Sequence, residues 1–252
     1  MNPDKISTLP GKSIDEPSIR NATSALVKRI GELQLALYAE QKKSLLVIFQ
    51  GMDASGKDGA IKDVFADVNP LGTRVVSFKK PTEEEYAHDF LWRVHAKMPP
   101  AGMIHIFNRS HYEDVLVPSV QGFLPEKVIK KRYDQINDFE RMLEENGTTI
   151  LKFFLHVSKE EQYERLTERM TNPKKFFKHK DSDWENSKKW KQYMKVYKSL
   201  FDKCNVVPWH IIPSDKNWYK EYLVAGEVAK ALQKINPKYP PLVTEMKVQK
   251  KP

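Results

Sequence analysis

The stretch GMDASGKDG, residues 51–59, places Gly51, four residues, then Gly56-Lys57, and so nearly spells a phosphate-binding loop. Where that pattern has a Ser or Thr hydroxyl, the chain has Asp58. Glycines let backbone N–H groups approach an anion closely, a following helix N-terminus adds a positive field, and a lysine here can reach the phosphoryl group being transferred. Gly51, Ala54, Ser55, Gly56, Lys57, Asp58 and Gly59 are therefore the candidate phosphate-binding residues. A carboxylate beside phosphates is repelled unless a cation stands between them. Asp53 is accordingly read as a magnesium ligand, since that ion commonly bridges protein carboxylates and substrate phosphates. Asp58 has two readings of equal weight: a second magnesium ligand, or a helix cap or partner for Lys62 four residues on.

A second constellation, FNRSHYEDVLVP at 107–118, supplies Asn108, Arg109, His111, Glu113 and Asp114. Arg109 can stabilise charge on a transferring phosphoryl group, with Asp114 or Glu113 completing the metal site. The plainer alternative is that Arg109 and Asp114 pair only with each other. His111 is read as a packing or hydrogen-bonding histidine. From Arg165 to Lys198, eleven lysines and arginines, among them Arg169, Lys174 and Lys175, face only Glu168, Asp181, Asp183 and Glu185. Arg165 and Arg169, four apart, share a helix face. With Pro173 ending that helix, the rest can form a hinged arm over the site, while the lysines after Lys180 read as a solvated face. Phe176, Phe177, Trp184 and Trp190 could stack bases or pack between helices. Lys79 and Lys80 either touch phosphate or are merely exposed.

These residues need a scaffold. SLLVIF at 44–49 is a continuous apolar run, the mark of a strand buried on both faces. It follows a helix at about 17–42 whose Leu26, Ile30, Leu33 and Leu37 share one face. Further strands are expected at 74–78, 103–107, near TTILKFFLHV, and at 206–212. Helices are expected from Thr82-Glu85, a capping-box spacing, to about 97, at 126–145 ending on Asn146-Gly147, from Ser158-Glu161, and at 217–235. Strands alternating with helices at this rhythm predict an α/β fold, a mostly parallel sheet covered on both faces. The phosphate loop falls between a buried strand and a helix, the context it requires.

With 252 residues, 40% apolar and 30% charged, the chain fits one large domain or a domain with an inserted lid. Residues 1–16 read as a poorly ordered arm and 237–252 as a mobile basic tail, around a single domain at 17–236 with its lid at about 164–203. A net charge of +9 favours polyanionic partners. One cysteine excludes an internal disulfide framework, and with neither a signal segment nor a long apolar run the default setting is the cytoplasm, without a membrane partner.

Four motifs in order, GMDASGKDG, FKKPTEEEYAHDFLWRVHAKMP, FNRSHYEDVLVP and ERLTERMTNPKKFFKHKDSDWENSKKW, resemble the family-2 polyphosphate kinases, and the resemblance runs from about 17 to 236. It implies a three-layer α/β/α sandwich of P-loop, thymidylate kinase-like type with a helical lid, and homodimers or homotetramers. The implied reaction is reversible, magnesium-dependent transfer of the terminal phosphoryl group of inorganic polyphosphate to nucleoside diphosphates, with manganese a conceivable substitute. Carried across, Lys57 is the loop lysine, Asp53 a magnesium or catalytic carboxylate, Arg109 a phosphate-binding arginine, and Arg165 and Arg169 are lid arginines. Asn108 stands where a Walker B aspartate is often found, which shifts the metal burden to Asp53 and Asp114. Glu113, where other members carry Asn, is similar to the subgroup that also phosphorylates monophosphates. Nucleotide contacts are thus expected from Asn108, Arg109, Glu113, Lys79 and Lys80, and phosphate contacts extend to Lys174 and Lys175. Polyphosphate and nucleotides rather than nucleic acid are the implied partners. The competing readings are an ATP-dependent nucleoside or nucleoside monophosphate kinase and a nucleic-acid-binding ATPase.

Overall fold

The computed structural model describes residues 3–243; residues 244–252 of the expected basic tail lie outside the described residues. In chain order the elements are α1 (Glu16–Glu40), β1 (Ser44–Gln50), α2 (Lys57–Val64), β2 (Thr73–Ser77), α3 (Glu83–Ala87), α4 (Trp92–His95), β3 (Ile104–Asn108), α5 (Glu113–Gln121), α6 (Glu126–Glu145), β4 (Thr148–His156), α7 (Lys159–Thr171), α8 (Asp181–Lys188), α9 (Trp190–Lys203), β5 (Trp209–Pro213) and α10 (Asn217–Ile235). The strands pair in the order β2-β3-β1-β4-β5, and every pairing is parallel. β1 is buried along its whole length, as its unbroken apolar run requires.

Alternation along β1 divides the core in two. Leu45, Val47 and Phe49 meet α1, α2 and α10 on one face, through residues such as Ile30, Ala60 and Val228. Leu46 and Ile48 face the layer of α5, α6 and α9, through Val115, Ile136 and Leu200. That second core also holds a buried polar group. Lys152 Nζ donates to Glu140 Oε2 at 2.7 Å, to the Tyr112 hydroxyl at 2.8 Å and to the Cys204 carbonyl at 3.1 Å. Cys204 itself is fully buried, and burial pushes its thiol up to about 12.

Two departures from the sequence reading, and one helix it leaves unassigned, have physical causes. The helix expected from 83 to about 97 is two short helices, because the Asp89 carboxylate accepts from Leu91 and Trp92 N–H and starts a new turn; the capping box of Thr82 and Glu85 is present. The segment 113–121 is helical despite Pro118. The Asp114 carbonyl, which Pro118 cannot serve, accepts from Arg132 instead. Finally, α9 is core rather than lid: Tyr193, Met194, Tyr197, Leu200 and Phe201 form a buried stripe. No described helix is long and apolar enough to cross a membrane.

Candidate active site

β1 pairs with β3 on one side and β4 on the other, so the chain leaving β1 emerges where strand connections diverge to both sides. Ligands of open parallel sheets gather at that point. The loop there requires its glycines. Gly51 has φ +149°, and a Cβ on it would lie 2.7 Å from Ser55 Oγ and 2.8 Å from the Leu155 carbonyl. Gly56, at φ +92°, leads into α2 with no side chain capping the helix. Ala54 and Arg109 also occupy the left-handed region, at φ +62° and +65°. Such conformations concentrate at functional sites.

Lys57 is buried, and its ammonium folds back onto the loop, donating to the Gly51 and Met52 carbonyls at 2.9 and 3.0 Å. Burial first, and then the Arg109 charge, bring it down to about 8. Asp53 pairs with Arg109 through Oδ1 and accepts from Asn186 Nδ2 at 3.1 Å through Oδ2. Burial pushes the Asp53 carboxyl upward, but Arg109, Lys57 and the Asn186 hydrogen bond outweigh it and hold the group below the ordinary aspartate range. Glu113 moves the other way: burial raises it, and the attraction of Arg109 and Lys57 does not fully offset that effect.

Two cavities meet at Asp53 and Arg109. The larger, a cleft of about 790 Å³, takes in the loop from Asp53 to Gly59, Lys79, Lys80 and Asn108, then Arg165, Arg169, Lys175, Lys178, Lys180 and Lys220. The smaller, of about 50 Å³, is lined by Gly51, Glu113, Asn186, Tyr193 and Tyr197 among others. A cation-rich cleft ending at a backbone anion cradle is suited to phosphate chains.

Residues 13–240 match the family model described as Polyphosphate kinase 2 (PPK2). The chain belongs to the polyphosphate kinase 2 family. It is 46% identical over 242 residues to the AMP/ADP-polyphosphate phosphotransferase of Meiothermus ruber, covering 95% of this chain and 90% of that one. It is 38% identical to the ADP-polyphosphate phosphotransferase of Rhodopseudomonas palustris, over 85% and 79% of the two chains. The fold matches the crystal structure of Polyphosphate Kinase 2 from Arthrobacter aurescens TC1 with a TM-score of 0.91 and 38% identity, covering 98% of this chain and 88% of that one.

Within this polyphosphate kinase 2 fold, the expected phosphate loop, Arg109, Arg165, Arg169, Lys175 and Asn108 come together on one cleft. Asp114 does not join them. Its carboxylate is taken by the buried Arg93 at 3.0 Å, it lines neither cavity, and Arg109 pairs with Asp53 rather than with it. Asp58 neither caps α2 nor pairs with Lys62, which pairs with Asp63: it lines the cleft, accepts from Asn108 Nδ2 at 2.7 Å and lies 3.5 Å from Lys178, tying the loop to β3 and the lid. Arg165 and Arg169 are already engaged. Arg165 donates to the Ala54 carbonyl at 3.1 Å and the Ser214 carbonyl at 2.8 Å, and Arg169 to Asp183 at 2.7 Å. Lys174 is exposed and absent from the cleft lining.

Of the aromatic residues, Phe177 reaches the cleft, whereas Trp184 packs edge-on against Tyr163. His111 is buried 3.4 Å from Glu140, the packing role expected of it. Tyr193, Asn217 and Lys220 line the cavities with no motif to mark them in the sequence, and Asn186 joins them from within the fourth motif though nothing in its spacing singles it out. They come from α8, α9 and α10, and only the packing of those helices against the loop brings them there.

Proposed function

We propose that this chain transfers the terminal phosphoryl group of inorganic polyphosphate to nucleoside diphosphates, ADP and GDP, and to the monophosphates AMP and GMP, and that the reaction runs in both directions. The observation that carries this reading is the cleft itself: the phosphate loop, Lys57 and Arg109 stand at one end of a volume whose walls are otherwise supplied with lysines and arginines of the lid. Polyphosphate has about one negative charge per repeat and no bases, so it calls for closely spaced cations rather than stacking surface. The names of the Meiothermus and Rhodopseudomonas relatives support the same donor, and the former supports both acceptor classes.

The attacking atom is a phosphate oxygen that is already largely ionised at neutral pH, so no strong general base is required. Catalysis then rests on alignment and charge neutralisation. Arg109, on a backbone locked at φ +65° and hydrogen-bonded through its N–H to the Phe49 carbonyl at 3.0 Å, sits at the junction of both cavities. It is placed to neutralise the transferring group, while the loop amides and Lys57 hold the phosphates beside it.

Magnesium is part of this reading. Among the described residues no three His, Cys, Asp or Glu side chains converge as a protein cage, and Asp114, paired with Arg93, lines neither cavity. A single carboxylate plus substrate phosphates is a common magnesium arrangement. Asp53, buried at the meeting point of the cavities and held ionised by its neighbours, fits it. When bound there, magnesium supplies charge neutralisation of the phosphates.

The deciding experiment is ATP formation from purified protein, magnesium and polyphosphate, with AMP and ADP offered separately and adenylate kinase contamination excluded. ATP from both acceptors is expected. ATP from ADP alone would remove the monophosphate activity, and no product from either would overturn the proposal.

A further inference from the structure

Lys220 is fully buried at the first turn of α10, yet it lines the large cleft. Its ammonium has one hydrogen bond, to Asn217 Oδ1 at 2.8 Å. No described carboxylate forms an ion pair with it; Glu221 and Asp63 act on it only from farther away, and Asp63 pairs with Lys62 instead. The position is electrostatically adverse three times over. A helix N-terminus carries positive potential, and this cation sits in the first turn, where no acidic residue balances it. A second helix N-terminus adjoins it, because a Cβ built on Gly56, the residue that opens α2, would lie 2.6 Å from Lys220 Nζ. The same point is 3.4 Å from Arg165 Nη1. An ammonium taken out of water without a counter-ion is destabilising, and here two of its three donors have no acceptor among the described residues.

An anion would resolve all of this at once. Two helix ends, an arginine and a lysine with spare donors converge beside the phosphate loop at Gly56. Nearby lid residues Lys175 and Lys178 extend the same positive field along the cleft. We infer that Lys220 is a polyphosphate-binding residue of this enzyme, contacting a phosphate of the donor chain next to Gly56. The inference rests on the polyphosphate-dependent reading above. The choice of the donor chain over the nucleotide's own phosphates follows from the surroundings: Lys220 lines the large cleft, whose ten lysines and arginines outnumber its five carboxylates, whereas the small cavity sets Arg109 against Asp53 and Glu113.

The test compares wild type, Lys220→Met and Lys220→Arg in initial-rate assays, varying polyphosphate at saturating ADP and then ADP at saturating polyphosphate, with thermal melting of each free protein. Removing one charge-assisted phosphate contact is expected to raise the polyphosphate KM about tenfold or more. The ADP KM should stay near wild type, and Lys220→Arg should recover much of the loss. Melting of Lys220→Met at or above the wild-type temperature is also expected, since an uncompensated ammonium is replaced by an apolar chain of similar length. An unchanged polyphosphate KM would overturn the inference. So would a rise confined to the ADP KM, which would give the site to the nucleotide, or equal loss for both substrates with a lowered melting point, which would make Lys220 a structural residue. A wild-type protein that makes no ATP from polyphosphate would refute the underlying function first, before any variant is compared.

Discussion

Replacing Arg165 with Met separates two roles that one arginine on a cleft wall can have. The guanidinium spans three parts of the molecule: Nη1 donates to the Ala54 carbonyl of the phosphate loop, Nη2 to the Ser214 and Asp215 carbonyls after β5, and Nε to Glu161 on its own helix. The Nη2 bond at 2.8 Å is strong and its 3.2 Å companion weak, so two good bonds to carbonyls are at stake. Each contributes about 1.5 kcal/mol as a hydrogen bond from a charged donor, and the partly exposed Glu161 pair adds about 0.5 kcal/mol. Arg165→Met should therefore cost about 3.5 kcal/mol, which for a domain of this size lowers the melting temperature by about 7–14 °C. The loop would lose a support at Ala54, a strained residue, so turnover should fall as well. Calorimetry on the free protein, alongside steady-state rates, checks both. A variant that melts with the wild type and loses only polyphosphate affinity would refute the reasoning and make Arg165 a direct substrate ligand.

Arg109→Ala should cut turnover by at least about 100-fold, and should also lower the melting point because it strips the buried Asp53 of its counter-charge; near-wild-type rates would remove Arg109 from the chemistry. The free protein's kcat/KM should fall as pH rises through 8, because Lys57 and Lys220 both lose their protons near there. Stability should respond with the reverse sign: between about pH 8 and the unfolded lysine value of about 10.4, the unfolded chain binds more protons, so the contribution of these two groups rises with pH. A kcat/KM profile flat from pH 7 to 9.5 would count against it. Glu113→Asn should depress the use of AMP more than of ADP, read as the ratio of the two kcat/KM values. Raising the salt concentration should raise the polyphosphate KM, since screening weakens every exposed lysine along the cleft.

Much of the scaffold was legible because its signals are local. The apolar runs of β1 and β4 need no partner to be recognised, and neither do the capping box at Thr82 nor the Asn146-Gly147 stop, where Gly147 adopts φ +86°. The elements that the sequence does not show depend on distant atoms. The helix through Pro118 is tolerated because Arg132, on α6, serves the Asp114 carbonyl. α9 looked like lid by charge, yet its aromatic stripe is what packs on β4 and β5, with Phe154, Phe201 and Trp209 in contact. The same division holds at the site. Loop residues announce themselves by spacing, whereas the partner of Asp114 is Arg93, 21 residues earlier in the chain, and Asn186 reaches Asp53 from 133 residues away. Whether a carboxylate opens onto the cleft decides whether it can meet a substrate-bound metal, and sequence spacing does not report that: Asp53 does and Asp114 does not.

The buried Cys204 has a practical consequence. It is the chain's single cysteine, it has no solvent exposure, and its thiol is shifted far from the range in which thiolate forms at neutral pH. Maleimides and other thiol reagents require an accessible thiolate, so the native protein is already an unreactive background. A cysteine placed at Phe177, which is 80% exposed at the rim of the cleft, would be the one reactive site. A dye or spin label attached there would report the position of the lid relative to the sheet during turnover, without first having to engineer away a native thiol.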